Sequence, residues 1–127
     1  MAKRKYPEQK LQIACADYLK ALETLTGKFI FWHTPNGGLR SKAAGALFKA
    51  MGTKAGVPDI IVLLMDGTIL FFELKAKGGY LTANQKEFHA KLKKLHFDVE
   101  VIVAETPAEA VAAIARTLRE AGLKEAQ

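Results

Sequence analysis

Residues 57–75 read Val57-Pro58-Asp59-Ile60-Ile61-Val62-Leu63-Leu64-Met65-Asp66-Gly67-Thr68-Ile69-Leu70-Phe71-Phe72-Glu73-Leu74-Lys75. Two near-continuous apolar runs joined by Met65-Asp66-Gly67 form the pattern of a hairpin at the centre of a sheet covered on both faces. Asp59, Glu73 and Lys75 break that pattern, because ionised groups are expensive to bury without partners. The strand period of two puts Glu73 and Lys75 on one face and Leu74 on the other. The turn length then decides whether Asp59 joins them. A two-residue turn at Asp66-Gly67 would set Asp59 opposite Leu74 and separate the carboxylates. A three-residue loop, Met65-Asp66-Gly67, with Gly67 left-handed in a bulge, sets Asp59 opposite Glu73 and Val57 opposite Lys75. The odd loop is the expectation.

Two adjacent carboxylates repel and raise one another's pKa unless a hard cation lies between them. Carboxylate oxygens, a backbone carbonyl and waters suit octahedral Mg²⁺ or Mn²⁺, whereas zinc would want His and Cys ligands.

Outward from the hairpin, Pro7 to Leu25 places Leu11, Cys15, Tyr18, Leu22 and Leu25 on one stripe of an amphipathic helix. Phe29-Ile30-Phe31-Trp32-His33 reads as a strand, with Trp32 and Phe71-Phe72 as core residues. Ser41 caps a short helix to about Met51. Thr82 and Gln85 form a capping box ahead of a helix that carries Phe88, Leu92 and Leu95 on one side. Val99 to Val103 is a fourth strand. Thr106 and Glu109 cap a last helix with the stripe Val111, Ile114, Ala115 and Leu118. The fold class is therefore α/β, a central mixed four-stranded sheet flanked by helices in the order α-β-α-β-β-α-β-α, in one domain over 1–127. The basic tip 1–6 and the tail 122–127 are expected to be flexible.

The chain has 127 residues, half of them apolar, enough for a core without staples. One cysteine excludes a disulfide framework and a multi-cysteine zinc site. Nineteen Lys and Arg against thirteen Asp and Glu give +6, which favours a polyanionic partner. No apolar run is long enough to span a bilayer and no secretory stretch opens the chain, so a soluble, cytoplasmic protein without a membrane partner is expected.

Pro58-Asp59 followed on the next strand by Glu73-Leu74-Lys75 resembles the PD-(D/E)XK nuclease signature. Glu8 and Gln12, the loop Pro35-Asn36-Gly37-Gly38 with Arg40, Gly56-Val57-Pro58-Asp59, and Gly79-Tyr80-Leu81-Thr82 leading to Gln85 extend the likeness to its VRR-NUC branch, in the small stand-alone form of phages and bacteria. The resemblance implies a restriction-endonuclease-like core and metal-dependent hydrolysis of phosphodiesters in branched DNA, a Holliday junction or a flap, by a homodimer joined through its first or last helix. It implies Asp59 and Glu73 as metal ligands with the Leu74 carbonyl. Lys75 would orient or help deprotonate water, Glu8 would join the metal ligands from the first helix, directly or through water, and Gln85 would approach from the helix after the third strand.

Other residues carry plainer readings beside these. Gln85 also serves as the third residue of its capping box, and Glu8 also suits the positive end of a helix. His33 reads as a structural hydrogen bonder. Asn36, Gly37, Gly38, Arg40 and Lys54 read as a DNA-contacting surface, because small residues let phosphate approach the backbone beside positive charge. Two rival functions fit the same charge and fold: a non-catalytic nucleic-acid-binding module and a sequence-specific restriction-type nuclease.

Overall fold

A computed structural model describes residues 7–35 and 41–127. Its elements are α1 (Pro7–Thr26), β1 (Phe29–His33), α2 (Lys42–Ala50), β2 (Ile60–Leu64), β3 (Ile69–Ala76), α3 (Ala83–Lys94), β4 (Val99–Ala104) and α4 (Pro107–Glu120). The expected order holds. The sheet runs β1-β2-β3-β4, antiparallel across the first three strands and parallel between β3 and β4.

The hairpin takes the odd loop. Ile60 pairs with Phe72, Ile61 with Phe71, and Val62 with Leu70. Leu64 N–H donates to Thr68 at 2.9 Å and Gly67 N–H to Leu64 at 2.9 Å, which leaves Met65-Asp66-Gly67 as the loop. Gly67 has φ +91°, a conformation that glycine supplies without a Cβ penalty. The ladder stops at Ile60, so neither of the expected pairings of Asp59 with Glu73 and of Val57 with Lys75 is made as a ladder pair. Pro58 has no N–H to offer β3, and the chain turns away there.

One sheet face carries the core. Phe72 and Leu74 of β3, Ile60 and Val62 of β2, and Ile102 and Ala104 of β4 pack with Leu11, Cys15, Leu19 and Leu22 of α1 and Ile114 and Leu118 of α4. The α1 stripe differs from its sequence reading. Leu11, Cys15 and Leu22 are buried as read, but Leu19 is fully buried, Tyr18 is half-buried and Leu25 is 76% exposed, because α1 faces both α4 and the sheet. Burial also raises the Cys15 thiol to about 11, so it packs as an inert core residue.

The opposite face is covered only in part. Phe97, just after α3, meets Phe71 edge-on at 5.9 Å. Toward β1 the cover ends, leaving Ile30 and Trp32 55% and 43% exposed, so Trp32 is not the core residue expected. Leu95 is likewise exposed, at the end of α3. No described helix is long and apolar enough to cross a membrane.

Both capping boxes form as read, and Ser41 accepts from Ala44 N–H at 3.0 Å. The tip 1–6 lies outside the described residues. The tail, expected to fray, packs back instead: Leu123 and Ala126 are buried, Arg119 donates to the Ala126 carbonyl at 2.8 Å, and Lys28 pairs with Glu125 at 2.7 Å. Its two apolar residues reach the core edge beside Leu118, which a reading of Gly122 as a helix stop does not register. Deleting residues 123–127 removes a buried leucine worth about 1.5–3 kcal/mol. The melting temperature, by calorimetry, is expected to fall by roughly 5–10 °C; an unchanged value would show that the tail adds no stability.

Candidate active site

The site forms where β2 and β3 part. Beyond the last ladder pair, Leu74 N–H donates to the Asp59 side chain, Oδ2, at 2.7 Å. The Asp59 main chain is fixed from the other side, its carbonyl accepting from Thr34 N–H at 2.9 Å and lying 2.8 Å from His33 Nδ1. A carbonyl only accepts, so His33 carries its proton on Nδ1 here. His33 is thus the structural hydrogen bonder its position suggests. In a strand the N–H and C=O of one residue point to the same flank, so the Leu74 carbonyl faces the Asp59 side as well.

Glu73 is fully buried on the face opposite the main core, and Lys75 and Gln85 are buried with it. Gln85 uses both ends of its amide. Its Oε1 accepts from Thr82 N–H at 2.9 Å, closing the capping box, and its Nε2 donates to Glu73 Oε2 at 3.2 Å. The two readings of Gln85 are therefore compatible. His89 Nε2 lies 2.9 Å from the other oxygen, Glu73 Oε1. The sequence reading missed His89. Its signal is helical spacing, since a residue four positions after Gln85 lies on the same side of α3.

Burial is the largest influence on Glu73, followed by a hydrogen bond shared with the Asp59 carboxyl and the negative charge of Asp59. These push its pKa up to about 9, against the opposing pull of the Lys75 ammonium; Glu8 adds a further upward push from the first turn of α1. Asp59, Lys75 and Glu8 are thus each close enough to act on Glu73, with Glu8 exposed at the margin. Burial also lowers the His89 pKa, opposed by Asp59 and assisted by Lys75. Gln12, one turn beyond Glu8, has a buried amide nitrogen without a partner among the described residues.

Gly56 locks this geometry. Its φ is +83°, and a Cβ there would lie 2.2 Å from the Asn84 carbonyl oxygen. The loop before Asp59 therefore presses directly on the start of α3, which carries Gln85. Lys54 is exposed on the same loop. Asn36, Gly37, Gly38 and Arg40 lie outside the described residues.

The donor set fits a hard divalent cation. Among the described residues no three His, Cys, Asp or Glu side chains form a metal-holding group. Mg²⁺, however, commonly uses one or two carboxylates together with waters and substrate phosphates. Asp59 and Glu73 supply two neighbouring carboxyl groups, and a cation can replace the proton that the raised pKa leaves on Glu73.

The profile of the VRR-NUC domain matches residues 6–106. A solved structure described as a VRR_NUC domain protein is similar at TM-score 0.64 and 23% identity, over 89% of this chain and 88% of that one. A second, described as a VRR_NUC domain, is similar at TM-score 0.56 and 20% identity, over 90% of this chain and 95% of that one. No curated protein matches the sequence.

Glu73 binds its proton up to about pH 9 when folded and only up to about 4.5 when unfolded. Between these values folding takes up a proton, so metal-free protein loses stability as pH rises through that window. In EDTA, the melting temperature of wild type is expected to fall relative to Glu73→Gln between about pH 5 and 9; parallel curves would contradict the raised pKa. Gly56→Ala is expected to lower stability by about 1–3 kcal/mol in urea unfolding, through strain and overlap with α3.

Proposed function

Because the chain belongs to the VRR-NUC domain family, a nuclease-type domain whose substrate is DNA, we propose that it is a Mg²⁺- or Mn²⁺-dependent endonuclease acting on branched DNA such as a Holliday junction or a flap. The observation that carries this reading is the meeting of Asp59, Glu73 and Lys75 where the hairpin opens. A buried acid beside a second, half-buried carboxyl and a lysine is costly to a fold and useful to phosphoryl chemistry.

Asp59 and Glu73, with the Leu74 carbonyl, would hold the cation. When bound, the ion acidifies water and polarises the phosphate oxygens. The remaining work falls to the chain. Gln85 and His89 grip both oxygens of Glu73 and fix its direction, while Leu74 N–H does the same for Asp59. Lys75 offsets the charge that develops on the scissile phosphate and orients the attacking water. Glu8 contributes negative charge at the rim of the site. Lys54 and the segment Asn36-Gly37-Gly38 with Arg40 would take the flanking phosphates.

A homodimer would present two such sites to one junction. Ile13 and Leu25 remain exposed on α1 and suit such a contact.

Asp59→Asn and Lys75→Ala are each expected to reduce cleavage of labelled junctions and flaps by roughly 10²-fold or more. Binding to the same DNA in Ca²⁺ should stay within about threefold of wild type, since phosphate contacts elsewhere dominate affinity. EDTA should abolish cutting. Wild type that never nicks branched or linear DNA in either metal would make this a binding module. Cuts at one sequence in plain duplex, regardless of branches, would make it a restriction-type enzyme.

A further inference from the structure

Helix α2 buries no side chain, although a nine-residue helix is marginal in water without packing. Leu47 and Met51 are exposed, and Phe48 is 37% exposed. Between α2 and α3 lies a cleft of about 930 Å³, walled by Phe48 on one side and by Phe88 and Leu92 on the other. Lys49, Lys54 and Lys91 also line it. Glu87 is the acidic group there, 3.5 Å from Lys91 in an exposed pair of small energetic weight. Lys49 and Lys54 have no carboxylate in ion-pair range among the described residues.

The cleft adjoins the candidate active site. Thr34 lines it and donates its N–H to the Asp59 carbonyl, and Asn84 lines it one residue before Gln85.

We propose that this cleft receives a few unstacked nucleotides of single-stranded DNA, the unpaired arm of the branched substrate. Duplex DNA hides its base faces in the stack and offers a protein its phosphates and groove edges, so an aromatic wall adds nothing to backbone binding. Unpaired bases expose π faces that stack on phenylalanine, while lysines track the backbone. Local charge favours a polyanion as occupant, because Lys49, Lys54 and Lys91 line the cleft against one acid, Glu87. The inference deepens the nuclease reading, on which it rests for the identity of the substrate.

The test reads binding in Ca²⁺ with labelled oligothymidylate, plain duplex, and duplex bearing a single-stranded flap. Phe48→Ala is expected to weaken the oligothymidylate and flap complexes about tenfold and the plain duplex less than about twofold. Phe48→Trp should restore the loss. Lys49→Ala with Lys54→Ala should weaken single-strand binding and make its salt slope shallower by about 1.4; this arm decides the matter should Phe48→Ala melt below the assay temperature. Equal losses on all three DNAs, no loss on any, or no single-strand binding by wild type would overturn the proposal. So would a Phe48→Ala variant that sediments as a smaller species with DNA affinity intact, which would give the cleft to a second copy. The readout needs no cleavage, so inert wild type in Mg²⁺ and Mn²⁺ would sink the nuclease reading and leave this one standing.

Discussion

The hydrogen bond from Leu74 N–H to the Asp59 carboxylate holds the site open without unravelling the sheet. A ladder that ends mid-sheet leaves a backbone donor facing an apolar layer, which is expensive unless another acceptor replaces the lost one. Pro58 ends the ladder and Asp59, the next residue, supplies the acceptor. A structural repair and a charged side chain thus come from the same two positions. The carboxylate is held on the hairpin's edge with Glu73 beside it, and β3 continues undisturbed to pair with β4.

Glu73 shows how the helices complete what the strands begin. It sits on the sheet face away from the main core, so its carboxyl depends on α3 for partners. Gln85 and His89 come from consecutive turns of that helix and reach one oxygen each. The position of α3 is in turn set by Gly56, where main chain meets main chain with no space for a side chain. The loop that leads to Asp59 therefore also governs the partners of Glu73.

Much of this was legible in the sequence because charge and parity are local properties. The conflict between a two-residue turn and a shared carboxylate site was enough to select the three-residue loop, and capping chemistry located the starts of the last two helices. What escaped depends on distant packing. The choice of Leu19 over Leu25 follows from how α1 meets α4, and the docking of Leu123 follows from a space at the end of the core. Trp32 looked like a core residue because strand composition cannot report that the helix cover stops short of β1. His89 escaped because histidine on a lysine-rich helix resembles surface, and its partner is a strand residue sixteen positions back.

The amide of Gln85 carries one more implication. Most boxes of this kind accept glutamate and glutamine interchangeably, since the helix start asks only for an oxygen. Here the far end of the group faces a buried acid, so the same side chain must accept at one tip and donate at the other. Glutamate would satisfy the helix but bring a further carboxyl group, with no N–H to donate, against Glu73. The position is thus closed to a substitution that ordinary helix grammar would permit.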